Sequence, residues 1–174
     1  MLEQLKIGNI LFLDIETVPG YASYQELPDS VKLLWDKKSS YFRKNEETSE
    51  EAYASAGIYA EFGKIVCIST GMIGLKDNVQ IMRLKSFYGE DECEILKTFA
   101  DLISRMVIKR EIVLCAHNGK EFDFPYIARR MIINGIKLPA ILDTAGRRPW
   151  EIPHIDTMEL WKFGDNKHYT SLNL

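Results

Sequence analysis

The sequence predicts an α/β domain built on a mixed sheet flanked by helices. Three observations point there. Residues 9–17 (NILFLDIET) carry a four-residue apolar run straight into Asp14-Ile15-Glu16, and Val18-Pro19-Gly20 stops it, the pattern of a buried strand. Residues 64–72 and 79–87 read as two more strands, with a hairpin turn within 74–78. Residues 111–116 (EIVLCA) are short and apolar on both faces, which suits a strand interior to a sheet. At 174 residues, the chain 1–174 suits one domain with a sizeable core.

The elements follow in order. After the first strand, residues 21–57 turn polar, with charges of both signs and scattered aromatics. This stretch reads as a helical excursion. Residues 30–38 have helical spacing with Val31, Leu34 and Trp35 on one face, and 48–56 fits a second short helix with Thr48 and Glu51 in capping-box spacing. A mobile polar loop is the competing reading for 37–50. Residues 91–107 form an amphipathic helix, with Cys93, Leu96, Phe99, Ala100, Ile103 and Val107 on one face and Asp91 as N-cap. Residues 123–134 form another, ended by Asn134-Gly135. A short extended piece is expected at 139–142, and a strand-to-helix passage or short helix at 155–161. Residues 170–174 (TSLNL) look like the first turn of a helix begun and not finished, so the sheet is expected to be incomplete at the C-terminus and the sequence to be a fragment.

Composition narrows the function classes. Hydrophobic content is 46% and charged content 27%, ordinary for a soluble globular protein. Net charge is −3, so no global basic field advertises nucleic acid, and such a partner must be held locally or through metal. Cys67, Cys93 and Cys115 form no C-x-x-C and read as buried free thiols of a reducing compartment. The three histidines lack ligand spacing. No signal peptide and no membrane span is evident, so the expected location is cytoplasmic.

Candidate chemistry starts at the first strand. Side chains alternate across a strand, so Asp14 and Glu16 share one face. At an effective dielectric of about 20, two unit charges about 4 Å apart repel by roughly 4 kcal/mol. A proton or a cation must offset that, and magnesium or manganese suits oxygen ligands. Taken alone, the pair fits equally well a capping aspartate beside a solvated glutamate. A second acidic site lies in residues 113–131 (VLCAHNGKEFDFPYIARRM). Asp123 follows a loop and opens a helix with Pro125 in its first turn, which by itself describes an N-cap. Together with Asn118, Phe122 and Tyr126 it puts an amide, a carboxylate and rings at the carboxyl end of a sheet strand, where open α/β sheets bind ligands.

These two motifs resemble the DEDD (DnaQ-like) 3′–5′ exonuclease superfamily, which has the ribonuclease H-like fold. The likeness is closest to the exonuclease domains of family B DNA polymerases and their stand-alone bacterial relatives. The first family motif, D-I-E-T, stands as Asp14-Ile15-Glu16-Thr17, and the second, N-x-x-x-F-D-x-P-Y, as Asn118, Phe122, Asp123, Pro125 and Tyr126. The match runs from the first strand to about Trp161. It departs at the third motif, Y-x-x-x-D or H-x-x-x-D, since none of Asp143, Asp156 and Asp165 has a Tyr or His four residues before it. That motif is expected beyond Leu174. Asp156-Thr157 resembles a D-T that relatives carry in a structural or substrate-facing place.

The resemblance implies a metal-dependent exonuclease that releases nucleotides from the 3′ end of single-stranded DNA or RNA. It implies two Mg2+ or Mn2+ ions per intact site, with Asp14, Glu16 and Asp123 as catalytic metal ligands. Ile15, Thr17, Asn118, Phe122 and Tyr126 are the implied substrate contacts. The amide of Ile15 or Glu16 would hold the terminal 3′-hydroxyl, and Phe122 and Tyr126 would press on terminal bases. For the two rings, packing against each other in the core is the alternative. Arg129-Arg130 and Arg147-Arg148 are candidate phosphate contacts or merely solvated pairs. With the fourth carboxylate absent, this chain is expected to bind metal weakly and cleave poorly. The rival function is a catalytically inactive nucleic-acid-binding or interaction domain of the same fold. A phosphatase of the haloacid dehalogenase type also opens with D-x-x-T after a strand, but it wants D-x-D, and Glu16 argues against it.

Overall fold

The computed structural model describes residues 5–44, 46–165 and 169–172. Five strands form one mixed sheet: β1 (Ile10–Pro19), β2 (Gly63–Lys76), β3 (Val79–Tyr88), β4 (Val113–Ala116) and β5 (Ile155–Asp156). Their spatial order is β3-β2-β1-β4-β5. β1 pairs antiparallel with β2, which pairs antiparallel with β3, while β4 lies parallel to β1 and β5 parallel to β4. Only β2 therefore runs against the rest. This is the ribonuclease H-like mixed sheet with flanking helices that the sequence predicts.

The helices are α1 (Asp29–Ser39), α2 (Ser49–Ala52), α3 (Glu92–Lys109), α4 (Asp123–Ile133) and α5 (Thr157–Lys162). Leu11, Leu13 and Ile15 of β1 join one core with Leu96, Phe99 and Ile103 of α3 and Ile127 and Met131 of α4. Strand alternation then leaves Phe12, Asp14 and Glu16 on the opposite face. Asp91 caps α3 as expected, accepting the N–H groups of Cys93 (2.8 Å) and Glu94 (3.4 Å). Its buried stripe contains Ile95, however, and leaves Cys93 half-buried and Val107 exposed.

The excursion between β1 and β2 is built around a second, aromatic core rather than being a polar loop. Trp35 is fully buried, and the rings of Phe42, Tyr53, Tyr59 and Phe62 lie 5.1 to 6.0 Å from its own. Thr48 and Glu51 complete the expected capping box. Leu34 is 60% exposed, a correction to the face expected for α1. Trp35 and Ser39, four residues apart, define the buried line, and Leu34 falls outside it.

Smaller differences also have local causes. The β2–β3 turn is two residues, Asp77 (φ 51°) and Asn78 (φ 63°), the two positive angles that a type I′ hairpin requires. Gly74 thus stays in the ladder opposite Ile81. Residues 139–142 turn instead of extending, with the Leu142 N–H on the Pro139 carbonyl at 2.9 Å. Of the three free thiols only Cys115 is fully buried. Thr170, Ser171 and Leu172 are not helical, while Asn173 and Leu174, the rest of the expected helical turn, lie outside the described residues. Among the described residues no helix is long and apolar enough to cross a membrane.

Candidate active site

β1 brings Asp14 and Glu16 to one face, both exposed, with Ile15 buried between them. On that face Asp14 stands opposite Ser69 and Glu16 opposite Cys67. Thr17 then pairs with Ile65, so Val66 is skipped and the strand pair is bulged next to Glu16. Bulges re-aim side chains in this way and are frequent beside active sites.

Because β4 runs parallel to β1, both strands end on the same side of the sheet. Their ladder stops at Phe12–Cys115, and the chain leaves β4 after Ala116 through a tight loop into α4. Asp123, the first residue of α4, reaches back across this gap, and its Oδ1 accepts the Ile15 N–H at 3.1 Å. Asp123 is 2% exposed. Burial first, and the Asp14 carboxylate second, push its pKa up to about 7. The structure therefore holds Asp123 against β1 at Ile15, the residue between Asp14 and Glu16. The Ile15 amide is already taken by Asp123, which corrects its expected use on a 3′-hydroxyl.

The loop before α4 is held by a residue expected only as a structural or substrate-facing D-T. Buried Asp156 accepts the N–H groups of Asn118 (2.9 Å) and Lys120 (3.1 Å), and those of Met158 (2.9 Å) and Glu159 (3.4 Å) at the start of α5. A D-T before a helical pattern is an N-cap signal, and that signal could have found this role. Asn118 adopts φ 59°, and its Oδ1 is buried without a partner. Loop residue His117 bonds the Thr157 hydroxyl through Nδ1 (3.0 Å) and the Thr170 carbonyl through Nε2 (2.6 Å).

The two expected base platforms separate. Phe122 is half-buried, with its ring 5.3 Å from that of Tyr126. Tyr126 is 2% exposed and its hydroxyl donates to the Gly57 carbonyl at 2.7 Å, so the core alternative holds for it. Thr17 is half-buried beside that same phenol. Arg130 is committed to Glu92 through Nε (2.8 Å) and Nη2 and to the Ala60 carbonyl (2.9 Å), which corrects its reading as a phosphate contact. Arg129, Arg147 and Arg148 are exposed.

The donor chemistry fits a hard divalent cation. All three acids offer oxygen, and the repulsion between Asp14 and buried Asp123 is what such an ion relieves. Among the described residues no three His, Cys, Asp or Glu side chains close around one point, so the set is open rather than a finished cage. A shallow hollow of about 240 Å3 beside Asp14 is lined by Phe12, Ser69, Gly71, Leu84 and Ser86.

A mixed sheet with paired carboxylates near the end of its central strand, and a third opening the helix after the parallel neighbour, defines a DEDD-type exonuclease domain. The chain belongs to the family of predicted 3′–5′ exonucleases related to the exonuclease domain of PolB, which matches residues 58–169. Solved structures similar to it include the family B DNA polymerase of the hyperthermophilic archaeon Pyrobaculum calidifontis, at 17% identity and a TM-score of 0.39 over 74% of this chain. E. coli Exonuclease I in complex with a dT13 oligonucleotide is similar at 11% identity and a TM-score of 0.45 over 88%. The chain spans 11% of that polymerase and 29% of that exonuclease. No curated protein matches it.

Proposed function

We propose that this domain is a divalent-metal-dependent 3′–5′ exonuclease that removes nucleotides from single-stranded DNA or RNA. One observation carries the reading: Asp123 and the Asp14–Glu16 strand, 108 residues apart in sequence, are locked together by the Ile15 N–H at the sheet's carboxyl end. Asp14, Glu16 and Asp123 would hold magnesium or manganese. When bound, such a cation supplies a lowered water pKa and offsets the charge of the phosphate. The protein's own groups supply position. Ile15 fixes the Asp123 carboxyl through one oxygen. Asp156 fixes the loop that carries Asn118, whose unpartnered Oδ1 is an acceptor for a substrate hydroxyl or amine. Half-buried Phe122 offers a ring to the terminal base.

The test is a ladder assay with 5′-labelled single-stranded DNA and RNA in manganese, magnesium or EDTA. Slow metal-dependent stepwise shortening that Asp14→Ala abolishes is expected, since the three carboxylates form an incomplete set among the described residues. The rival, a nucleic-acid-binding domain without catalysis, is favoured by the open carboxylate set among the described residues. Binding retained with no shortening under any metal would select it.

A further inference from the structure

The excursion carries an aromatic–basic surface that the carboxylate site does not use. α1 ends on exposed Lys37 and Lys38, and the chain then passes through Tyr41, Phe42, Arg43 and Lys44. Tyr41 is 78% exposed. Phe42 stacks on Tyr59, with centroids 5.5 Å apart and planes at 23°, and Lys38 Nζ lies 4.6 Å from the centre of the Tyr59 ring. Arg43 Nε is buried without a partner, while its Nη1 reaches the Glu47 carbonyl at 3.5 Å. Both ion pairs among the described residues, Lys120–Glu159 and Arg130–Glu92, lie elsewhere. Of the neighbouring acids, Asp36 accepts the Tyr24 hydroxyl (2.8 Å), Glu47 the Lys44 N–H (3.1 Å), Glu51 the Thr48 N–H (2.8 Å) and Glu50 the Gln25 amide, while Glu46 is exposed. None of the four cations forms an ion pair among the described residues, although Lys38 lies over Tyr59 and Arg43 reaches the Glu47 carbonyl.

Topology sets where this surface lies. The excursion leaves the carboxyl end of β1 and returns into antiparallel β2, so it belongs to the same end of the sheet as Asp14, Glu16 and the loop after β4. Gly57 lies against Val18, since a Cβ there would come within 3.0 Å of the Val18 carbonyl carbon. The Gly20 N–H donates to the Phe62 carbonyl at 2.8 Å. Val18 is two residues from Glu16 and Tyr59 two from Gly57, which puts Tyr59 within roughly 20 Å of Glu16 at strand-like reach. A few nucleotides span that. Among the described residues the exposed ring with a cation over it, Trp150 under Arg148, sits on the segment leading into the amino end of β5, whereas Tyr59 is half-buried.

We propose that this surface holds a single-stranded polynucleotide upstream of the 3′ end, with bases on Tyr41 and Phe42 and phosphates along Lys37, Lys38, Arg43 and Lys44. Rings interleaved with cations suit unstacked bases on a charged backbone, and a chain of net charge −3 must concentrate such contacts locally. The direction of the strand rests on the exonuclease reading, but the binding does not.

The test measures fluorescence anisotropy of 5′-fluorescein dT12 and dT3 with the whole chain in EDTA, where hydrolysis is silent. Tyr41→Ala should raise the dT12 Kd at least about fivefold, the lower end of one lost base stack. A Lys37→Ala/Lys38→Ala double variant should lower the slope of log K against log salt by about 0.7 for each phosphate it no longer neutralises. Binding of dT3 should hardly change, and Arg148→Ala should leave both probes as they were. All substituted side chains are exposed, so melting temperatures should be preserved. Unchanged dT12 affinity and salt slope in both variants would overturn the proposal, as would wild-type protein that binds dT12 no better than dT3. If manganese ladders show no shortening while Tyr41→Ala still weakens dT12, the exonuclease reading falls and the surface stands. Shortening with patch-independent binding would mean the reverse.

Discussion

Asp123 Oδ1 accepts the N–H of Ile15 at 3.1 Å, closing a 108-residue span with one buried bond. The β1–β4 ladder has ended by then, at Phe12–Cys115, so a side chain completes what a strand no longer can. The same bond fixes the Asp123 carboxyl near Asp14, and among the described residues neither carboxylate makes an ion pair.

A pH dependence follows. Burial and Asp14 raise the Asp123 pKa to about 7 in the folded chain, against about 3.9 unfolded. The folded state binds more protons between those values, so stability should fall as pH rises from about 4 to about 7 and stay reduced above that. Urea unfolding in EDTA should show Asp123→Asn removing this decline, a difference on the order of a few kcal/mol at pH 8. Magnesium or manganese should recover part of it in the wild type only. Parallel pH profiles for the two proteins would refute this account.

Asp156 accepts four backbone N–H groups, two in the Asn118–Lys120 loop and two at the start of α5. Asp156→Ala should therefore cost at least about 2 kcal/mol, since several buried donors lose their acceptor at once. Asp156→Asn keeps one acceptor oxygen and should cost less. Amide exchange should accelerate at Asn118 and Lys120 well before global unfolding. Exchange unchanged at both would remove Asp156 as the clamp of that loop.

The strands, α3 and α4 were legible because apolar runs and helical periods are local signals. The approach of Asp123 to β1 was legible because two motifs shared a strand-end context. Other contacts leave no such trace. Nothing around Arg130 signals that Glu92, 38 residues earlier, occupies it, or that Tyr126 spends its hydroxyl on Gly57. The expected helix faces failed at Leu34 and Cys93 because an apolar stripe can rotate slightly and still satisfy the spacing. Asp77-Asn78 took the turn because both adopt positive φ, and Gly74, the more obvious turn residue, did not have to.

Glu92 is buried, yet its carboxyl stays below the usual range. Burial alone would raise it, but Arg130, the Ile65 N–H (2.7 Å) and Asn134 (3.0 Å) outweigh burial. Glu92→Gln leaves Arg130 largely buried without its counter-charge and should cost about 3–5 kcal/mol at pH 7. A depressed pKa gives stability that is present above the unfolded value near 4.3 and lost as pH falls through the folded one. The gap between wild type and Glu92→Gln should therefore narrow below about pH 4. A gap that widens in acid would contradict the ion pair as its source.

Tyr126 and Phe122 should divide cleanly under substitution. The Tyr126 hydroxyl donates to Gly57 and sits where a Cβ on Gly63 would come within 2.3 Å. Only a bare backbone at Gly63 lets the phenol tie α4 to the excursion. Tyr126→Phe keeps the ring and strands the Gly57 carbonyl, so it should cost about 1–3 kcal/mol, or roughly 2–4 °C in melting temperature per kcal/mol. Nucleotide release, measured in the linear phase below the melting range, should stay within about twofold, since a buried ring cannot take a base. Phe122→Ala should behave oppositely, weakening oligonucleotide binding by about 1–3 kcal/mol beyond its effect on stability. A Tyr126→Phe variant that melts normally but no longer binds the 3′ end would place the phenol in the substrate site after all.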